Sequence, residues 1–121
     1  MKKILIIEDD DFLLGLESKK INSSGYEVIF AQTGEDAMNK ILEKDISIIL
    51  LDLLLPNYDG FEILKKIRET EATKSIPVII FSNLAEVKDR DKALALGATE
   101  VLIKSNFSLE EVIEHINKLV K

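Results

Sequence analysis

Four places in the chain carry side chains of complementary chemistry. The acidic run Glu8, Asp9, Asp10 and Asp11 follows the apolar segment Ile4–Ile7, and the single carboxylate Asp52 follows Ile48–Leu51. Ser82 comes directly after Val78–Phe81, and Lys104 directly after Val101–Ile103. Carboxylates gathered within about 4 Å repel one another by several kcal/mol at a partly buried site. A set drawn from Glu8, Asp9 and Asp52 therefore requires a cation or raised pKa values. All-oxygen ligands with few protein donors suit Mg²⁺, which keeps several waters and often shares a phosphate oxygen. One carboxylate can attack phosphorus and form an acyl phosphate. A serine hydroxyl can then donate to a phosphoryl oxygen and a lysine can neutralise it, because phosphoryl transfer depends mainly on positioning and charge stabilisation.

Each residue alone has an ordinary reading. An acidic run often marks a solvated helix start, since acids favour the positive helix N-terminus. A serine after a strand is commonly a turn residue, and a lysine a surface cation lying along its own stem. Asp52 is harder to place so, because a carboxylate ending an apolar strand must be exposed or compensated. Four strand ends each carrying a needed group is the coincidence that favours a site.

The elements that would position the set follow from hydrophobic pattern. Ile4–Ile7, Ile48–Leu51, Val78–Phe81 and Val101–Ile103 are nearly continuous and rich in β-branched residues, as strands buried on both faces of a parallel sheet are. Tyr26–Phe30, which carries Glu27, reads as an edge strand. Helical periods lie between these runs. In the last, Leu109, Val112, Ile113, Ile116 and Leu119 make one stripe, with Ser108 and Glu111 as a capping box. Thr33 or Gly34 opens the second helix, whose inward residues are expected to be Ala37, Ile41 and Leu42. Phe61, Ile63, Leu64 and Ile67 read as core, and His115, beside the last stripe with no ligand set near it, as surface. Strand and helix alternate five times, which predicts an α/β fold with a doubly wound, five-stranded parallel sheet and five helices. Ligands of such sheets bind outside the carboxyl ends of the strands, where these four groups stand.

Composition narrows the function. The length of 121 residues suits one domain spanning 1–121, and no linker or repeat divides it. Acids outnumber bases, 22 to 16, for a net charge of −6 that argues against direct nucleic-acid binding. With no cysteine, disulfides, thiolate catalysis and Cys-based zinc sites are excluded. The opening MKKILII runs into four acids, so it is not expected to be a secretory signal. Ile46–Leu55 is interrupted by Asp52 and is too short for a membrane span of about 20 residues. A cytoplasmic location with no membrane contact is expected.

Four segments, KILIIEDDD, IILLDLLLPNYDG, VIIFS and GATEVLIK, together resemble the receiver domain of two-component response regulators, and the resemblance covers essentially the whole chain. It implies a flavodoxin-like sheet of order 2-1-3-4-5. It implies that Asp52 is the phosphoacceptor and that Glu8 and Asp9 hold Mg²⁺, Asp9 more directly. The backbone carbonyl of Leu54 is implied as a further ligand, Ser82 as the switch hydroxyl and Lys104 as the phosphoryl contact. Pro56 and Gly60 match the loop into the third helix, which Asp59 would cap. The implied donor is a phosphohistidine on a histidine kinase or histidine phosphotransfer protein, and the implied target a downstream protein or output domain. Such a domain is a switch that catalyses only its own phosphorylation and dephosphorylation, not an enzyme acting on others. Docking of the donor is expected at the first helix, with Phe12 and Leu13, and at residues 105–107.

Three positions depart from the family pattern. Ser105 replaces the usual proline after the lysine, so a trans peptide is expected there. Val101 replaces the switch aromatic, and Asn83 a small residue after the switch hydroxyl. Leu54 and Leu84 stand where side chains control water access to the acyl phosphate, and both are apolar, so a long-lived phosphorylated form is expected. Rival readings fit less well. A flavodoxin-like cofactor binder would not place Glu8–Asp11 in its phosphate loop, and a haloacid-dehalogenase-type phosphatase would carry a second aspartate where Leu54 stands. The alternative kept is a receiver-like interaction module that works without phosphorylation. The retained set of Glu8, Asp9, Asp52, Ser82 and Lys104 weighs against it.

Overall fold

The computed structural model describes residues 1–84 and 86–120. Along the chain run β1 (Lys3–Ile7), α1 (Asp11–Ser23), β2 (Glu27–Ala31), α2 (Gly34–Lys40) and β3 (Ile46–Leu51). They are followed by α3 (Gly60–Glu69), β4 (Val78–Ser82), α4 (Val87–Ala95), β5 (Glu100–Ile103) and α5 (Leu109–Leu119). A two-residue antiparallel ladder, Leu54–Leu55 with Tyr58–Asp59, shapes the loop before α3, and a 3₁₀ turn, Lys104–Asn106, follows β5. The five strands pair in parallel in the order β2-β1-β3-β4-β5, the expected topology.

The continuous apolar runs are explained by cover on both faces. Alternate residues of each strand point to opposite sides. Leu5, Ile7, Ile49, Leu51, Val78 and Ile80 meet Ala37 of α2, Ile63, Leu64 and Ile67 of α3 and Ala93 of α4. Ile4, Ile6, Ile48, Leu50, Ile79, Phe81 and Leu102 meet Leu14 and Ile21 of α1 and Val112, Ile113 and Ile116 of α5.

Helix starts follow local chemistry. The Asp10 carboxylate accepts from Leu13 N–H (3.0 Å), Thr33 Oγ1 from Asp36 N–H (3.1 Å) and Asp59 from Phe61 N–H (2.9 Å). Ser108 and Glu111 form the expected reciprocal box at 2.9 and 3.1 Å. Each such cap satisfies N–H groups that have no partner within the helix.

Two expectations need correction. Leu42 is not inward but 61 % exposed: α2 ends at Lys40, its C-cap Ile41 takes the buried place, and Leu42 falls just past the helix. His115 is not a free surface residue: its Nδ1 is paired with Glu100 Oε1, and its ring meets Phe107 edge-on at 5.7 Å. The α5 stripe, seated on the sheet, carries the neighbouring His115 against the first residue of edge strand β5. Arg68, unremarkable in sequence, ties the loop after α3 to the loop after α4. Its Nε donates to Gly97 O (2.8 Å) and its Nη1 to Ile76 O (2.7 Å) and Lys74 O (3.2 Å).

Candidate functional site

Parallel register carries four strand ends to one rim. Ile7 pairs with Leu51, so Glu8 and Asp52 emerge side by side; Leu51 pairs with Ile80, which sets Ser82 one step beyond Asp52, and Ser82 pairs with Ile103, just before Lys104. The ladder extends one step further, Asp52 N–H donating to Ile7 O at 3.0 Å and Glu8 N–H to Ala31 O at 3.0 Å. Glu8 and Asp52 thereby leave the sheet on backbone that is itself hydrogen-bonded.

Asp52 is only 5 % exposed, yet both its oxygens are engaged. Oδ1 accepts from Ser82 Oγ–H at 2.7 Å and from Leu54 N–H at 2.9 Å, and Oδ2 accepts from Lys104 Nζ at 2.6 Å. The same ammonium lies 2.7 Å from Glu8 Oε1, while Glu8 Oε2 accepts from Asp10 N–H at 3.2 Å. The half-buried Asp9 completes the group: one carboxylate oxygen from each of Glu8, Asp9 and Asp52 lies within 4.8 Å of the others. Among the described residues this is the one cluster of potential metal ligands. It gathers the predicted Glu8, Asp9, Asp52, Ser82 and Lys104 in one place. Leu54 lies beside it through its N–H bond to Asp52, with its side chain outside and exposed.

Electrostatics at the rim are unbalanced. Three carboxylates face one ammonium, a local deficit of positive charge that an oxygen-seeking divalent cation fits. Burial pushes the Glu8 carboxyl above its ordinary value; the Lys104 hydrogen bond opposes this and the Asp52 charge adds to it. For Lys104, burial alone would depress the ammonium. Its hydrogen bonds to Asp52 and Glu8, with their charges, outweigh that and hold it above its ordinary value.

The loop that presents Asp52 is pinned by a close backbone approach. A Cβ at Gly60 would lie 2.5 Å from Leu53 Cα and 2.5 Å from Leu53 O, so α3 packs directly on the residue after Asp52. Gly60→Ala must push Leu53 aside and loosen the Leu54 N–H bond to Asp52. A loss of about 2 kcal/mol is expected in urea unfolding, with weaker divalent-cation binding in the same variant. An unchanged unfolding midpoint would show that the loop yields freely.

The departures have structural outcomes. Among the described residues no peptide bond is cis, so Lys104–Ser105 is trans, and Lys104 still reaches both buried carboxylates. Val101 and Leu84 both pack against the core cluster under α3 and α4, and Asn83 is exposed. One charged residue near the rim escapes a reading by strand ends: Glu17, buried on α1. Its spacing from Leu14 and Ile21, three and four residues, was the available signal.

Comparison with known proteins agrees with this geometry. The family model described as the response regulator receiver domain matches residues 4–117. The DNA-binding dual master transcriptional regulator RpaA of Synechocystis is 32% identical over 121 residues, covering 100% of this chain and 50% of that protein. This chain spans about half or less of the length of the curated relatives it matches. The chemotaxis protein CheY4 of Vibrio cholerae superposes with a TM-score of 0.90 at 26% identity, covering 99% of both chains. The receiver domain of sensor histidine kinase PA1611 from Pseudomonas aeruginosa, solved with magnesium coordinated in its active-site cleft, gives a TM-score of 0.87 at 26% identity, covering 98% of this chain and 96% of that one. Sheet order, rim chemistry and a family match over nearly the whole length lead to one conclusion: this chain belongs to the response regulator receiver domain family.

Proposed function

We propose that the chain, as a receiver unit over 1–121, accepts a phosphoryl group on Asp52 in a two-component phosphorelay. The observation that carries this reading is the Asp52 carboxylate, buried yet bonded to Ser82 and Lys104 beside two further acids. An Asp52 oxygen attacks the phosphorus of a phosphohistidine. The P–N bond breaks, its electron pair returns to the imidazole, and an acyl phosphate remains on Asp52. Ser82 Oγ–H and Lys104 Nζ, already aimed at Asp52, are then placed to donate to phosphoryl oxygens. Glu8, Asp9, Asp52 and the Leu54 carbonyl are the proposed holders of Mg²⁺, which when bound would offset phosphoryl negative charge.

The proposed donor is a histidine kinase or histidine phosphotransfer protein. Exposed Phe12, with half-buried Leu13 and Phe107 and exposed Ser105 and Asn106, forms the docking candidate. The readout is a changed face offered to a downstream protein or output domain, in which Ser82 moves with the phosphoryl group. The net charge of −6 supports a protein rather than nucleic acid as direct partner. No helix among the described residues is long and apolar enough to cross a membrane, which is compatible with the cytoplasmic location we propose.

Intact mass after incubation with acetyl phosphate and Mg²⁺ tests the assignment. One added phosphoryl group is expected on wild type and none on Asp52→Ala or without Mg²⁺. No added mass, with no binding of beryllium fluoride, would favour the interaction-module reading instead. The apolar Leu54 and Leu84 supply no group to orient an attacking water, so the adduct is expected to be long-lived. After donor removal, mass should decay several-fold faster in Leu84→Glu; equal decay would remove that explanation.

A further inference from the structure

Helix α1 turns Leu14, Glu17 and Ile21 inward. Leu14 and Ile21 belong to the apolar cluster between the sheet, α1 and α5, to which α5 contributes Val112, Ile113 and Ile116. Glu17, between them, is 2 % exposed, and its Oε1 meets no hydrogen-bond donor among the described residues. An ionised carboxylate without water or a donor is heavily penalised, whereas its protonated form is tolerated. The charged groups acting on it are Glu8 at the end of β1, Lys104 at the end of β5, Asp52 at the end of β3 and Asp10 at the α1 cap. Only Lys104 favours its ionisation. Burial first, then Glu8, raises its pKa to about 8.

We propose that Glu17 is a buried, proton-bearing carboxyl coupled electrostatically to the acidic rim, and that it releases its proton when a divalent cation binds there. The coupling rests on the cation-binding reading of Glu8, Asp9 and Asp52 given above. A cation offsets the negative charge of Glu8 and Asp52, two of the causes that keep Glu17 neutral. Burial is untouched, so the release is partial and centred above the ordinary carboxylate range. By reciprocity, ionised Glu17 strengthens cation binding, which makes occupancy of the rim sensitive to pH near neutrality.

Carboxyl-carbon NMR titration of the 121-residue chain tests this, with Glu17→Gln and Glu17→Leu assigning the signal. Without Mg²⁺, Glu17 is expected to titrate well above ordinary carboxylates. With saturating Mg²⁺ its midpoint should fall by about one unit, and Mg²⁺ affinity should rise about tenfold between pH 6 and 9 in wild type beyond any rise in Glu17→Gln. An ordinary midpoint without Mg²⁺ overturns the buried proton. A fixed midpoint while Asp9 and Asp52 signals respond to Mg²⁺ overturns the coupling alone. If Asp9 and Asp52 do not respond, the cation reading fails and the coupling fails with it.

Discussion

Lys104→Met is expected to destabilise the Mg²⁺-free protein by about 3 kcal/mol at neutral pH. The ammonium is the shared partner of two carboxylates, at 2.6 Å from Asp52 Oδ2 and 2.7 Å from Glu8 Oε1. All three side chains are largely withdrawn from water, so removing the cation leaves buried charges of like sign with the Ser82 hydroxyl and backbone N–H groups as their remaining donors. Such one-sided deletions cost more than the pair contributes, because desolvation of the survivors is no longer offset. Methionine keeps most of the stem's packing, so the loss reports charge rather than volume. Urea unfolding of wild type and variant, each with and without Mg²⁺, measures it. A divalent cation should restore much of the difference by meeting the same carboxylates. Equal stability of the two Mg²⁺-free proteins would mean that Glu8 and Asp52 are not held as a charged pair.

Glu17→Leu should move stability the other way, by about 3 kcal/mol at pH 7. The unfolded carboxyl releases its proton near the ordinary 4.5, whereas the folded one keeps it to about 8. Between those values the folded state binds the extra proton, so wild-type stability declines as pH rises through that window and levels off above it. Leucine removes the titration and adds apolar contacts with the cluster around Leu14 and Ile21. Chemical denaturation from pH 4.5 to 9 should therefore show a falling wild-type curve and a flatter variant curve that diverge toward alkaline pH. Parallel curves would place a hidden partner at Glu17. Stability lost in wild type at this position is the expected cost of a polar group retained inside a core.

The contrast between Lys104 and Glu17 shows how far the chain could be read in one dimension. Strand ends were legible because parallel strands buried on both faces leave unbroken apolar runs, and the first polar residue after each run marks the rim. That rule found Glu8, Asp52, Ser82 and Lys104; the cap at Ser108 followed from short-range hydrogen bonding and the cap at Asp59 from the family resemblance. It misplaced Leu42, where the helical period was continued past the end of α2, and His115, whose partner Glu100 lies on another element.

Sequence alone determined the alternation of strands and helices, the rim on which the site stands and the residue types present there, since all three depend on local period and charge. Tertiary structure decided which atoms meet. It set the sharing of one ammonium by two carboxylates, the contact that makes Gly60 necessary, the bracing of two loops by Arg68 and the isolation of Glu17. Those outcomes depend on register between segments far apart in the chain and on how much water packing excludes. Neither quantity is carried by the spacing of residues along a single strand or helix.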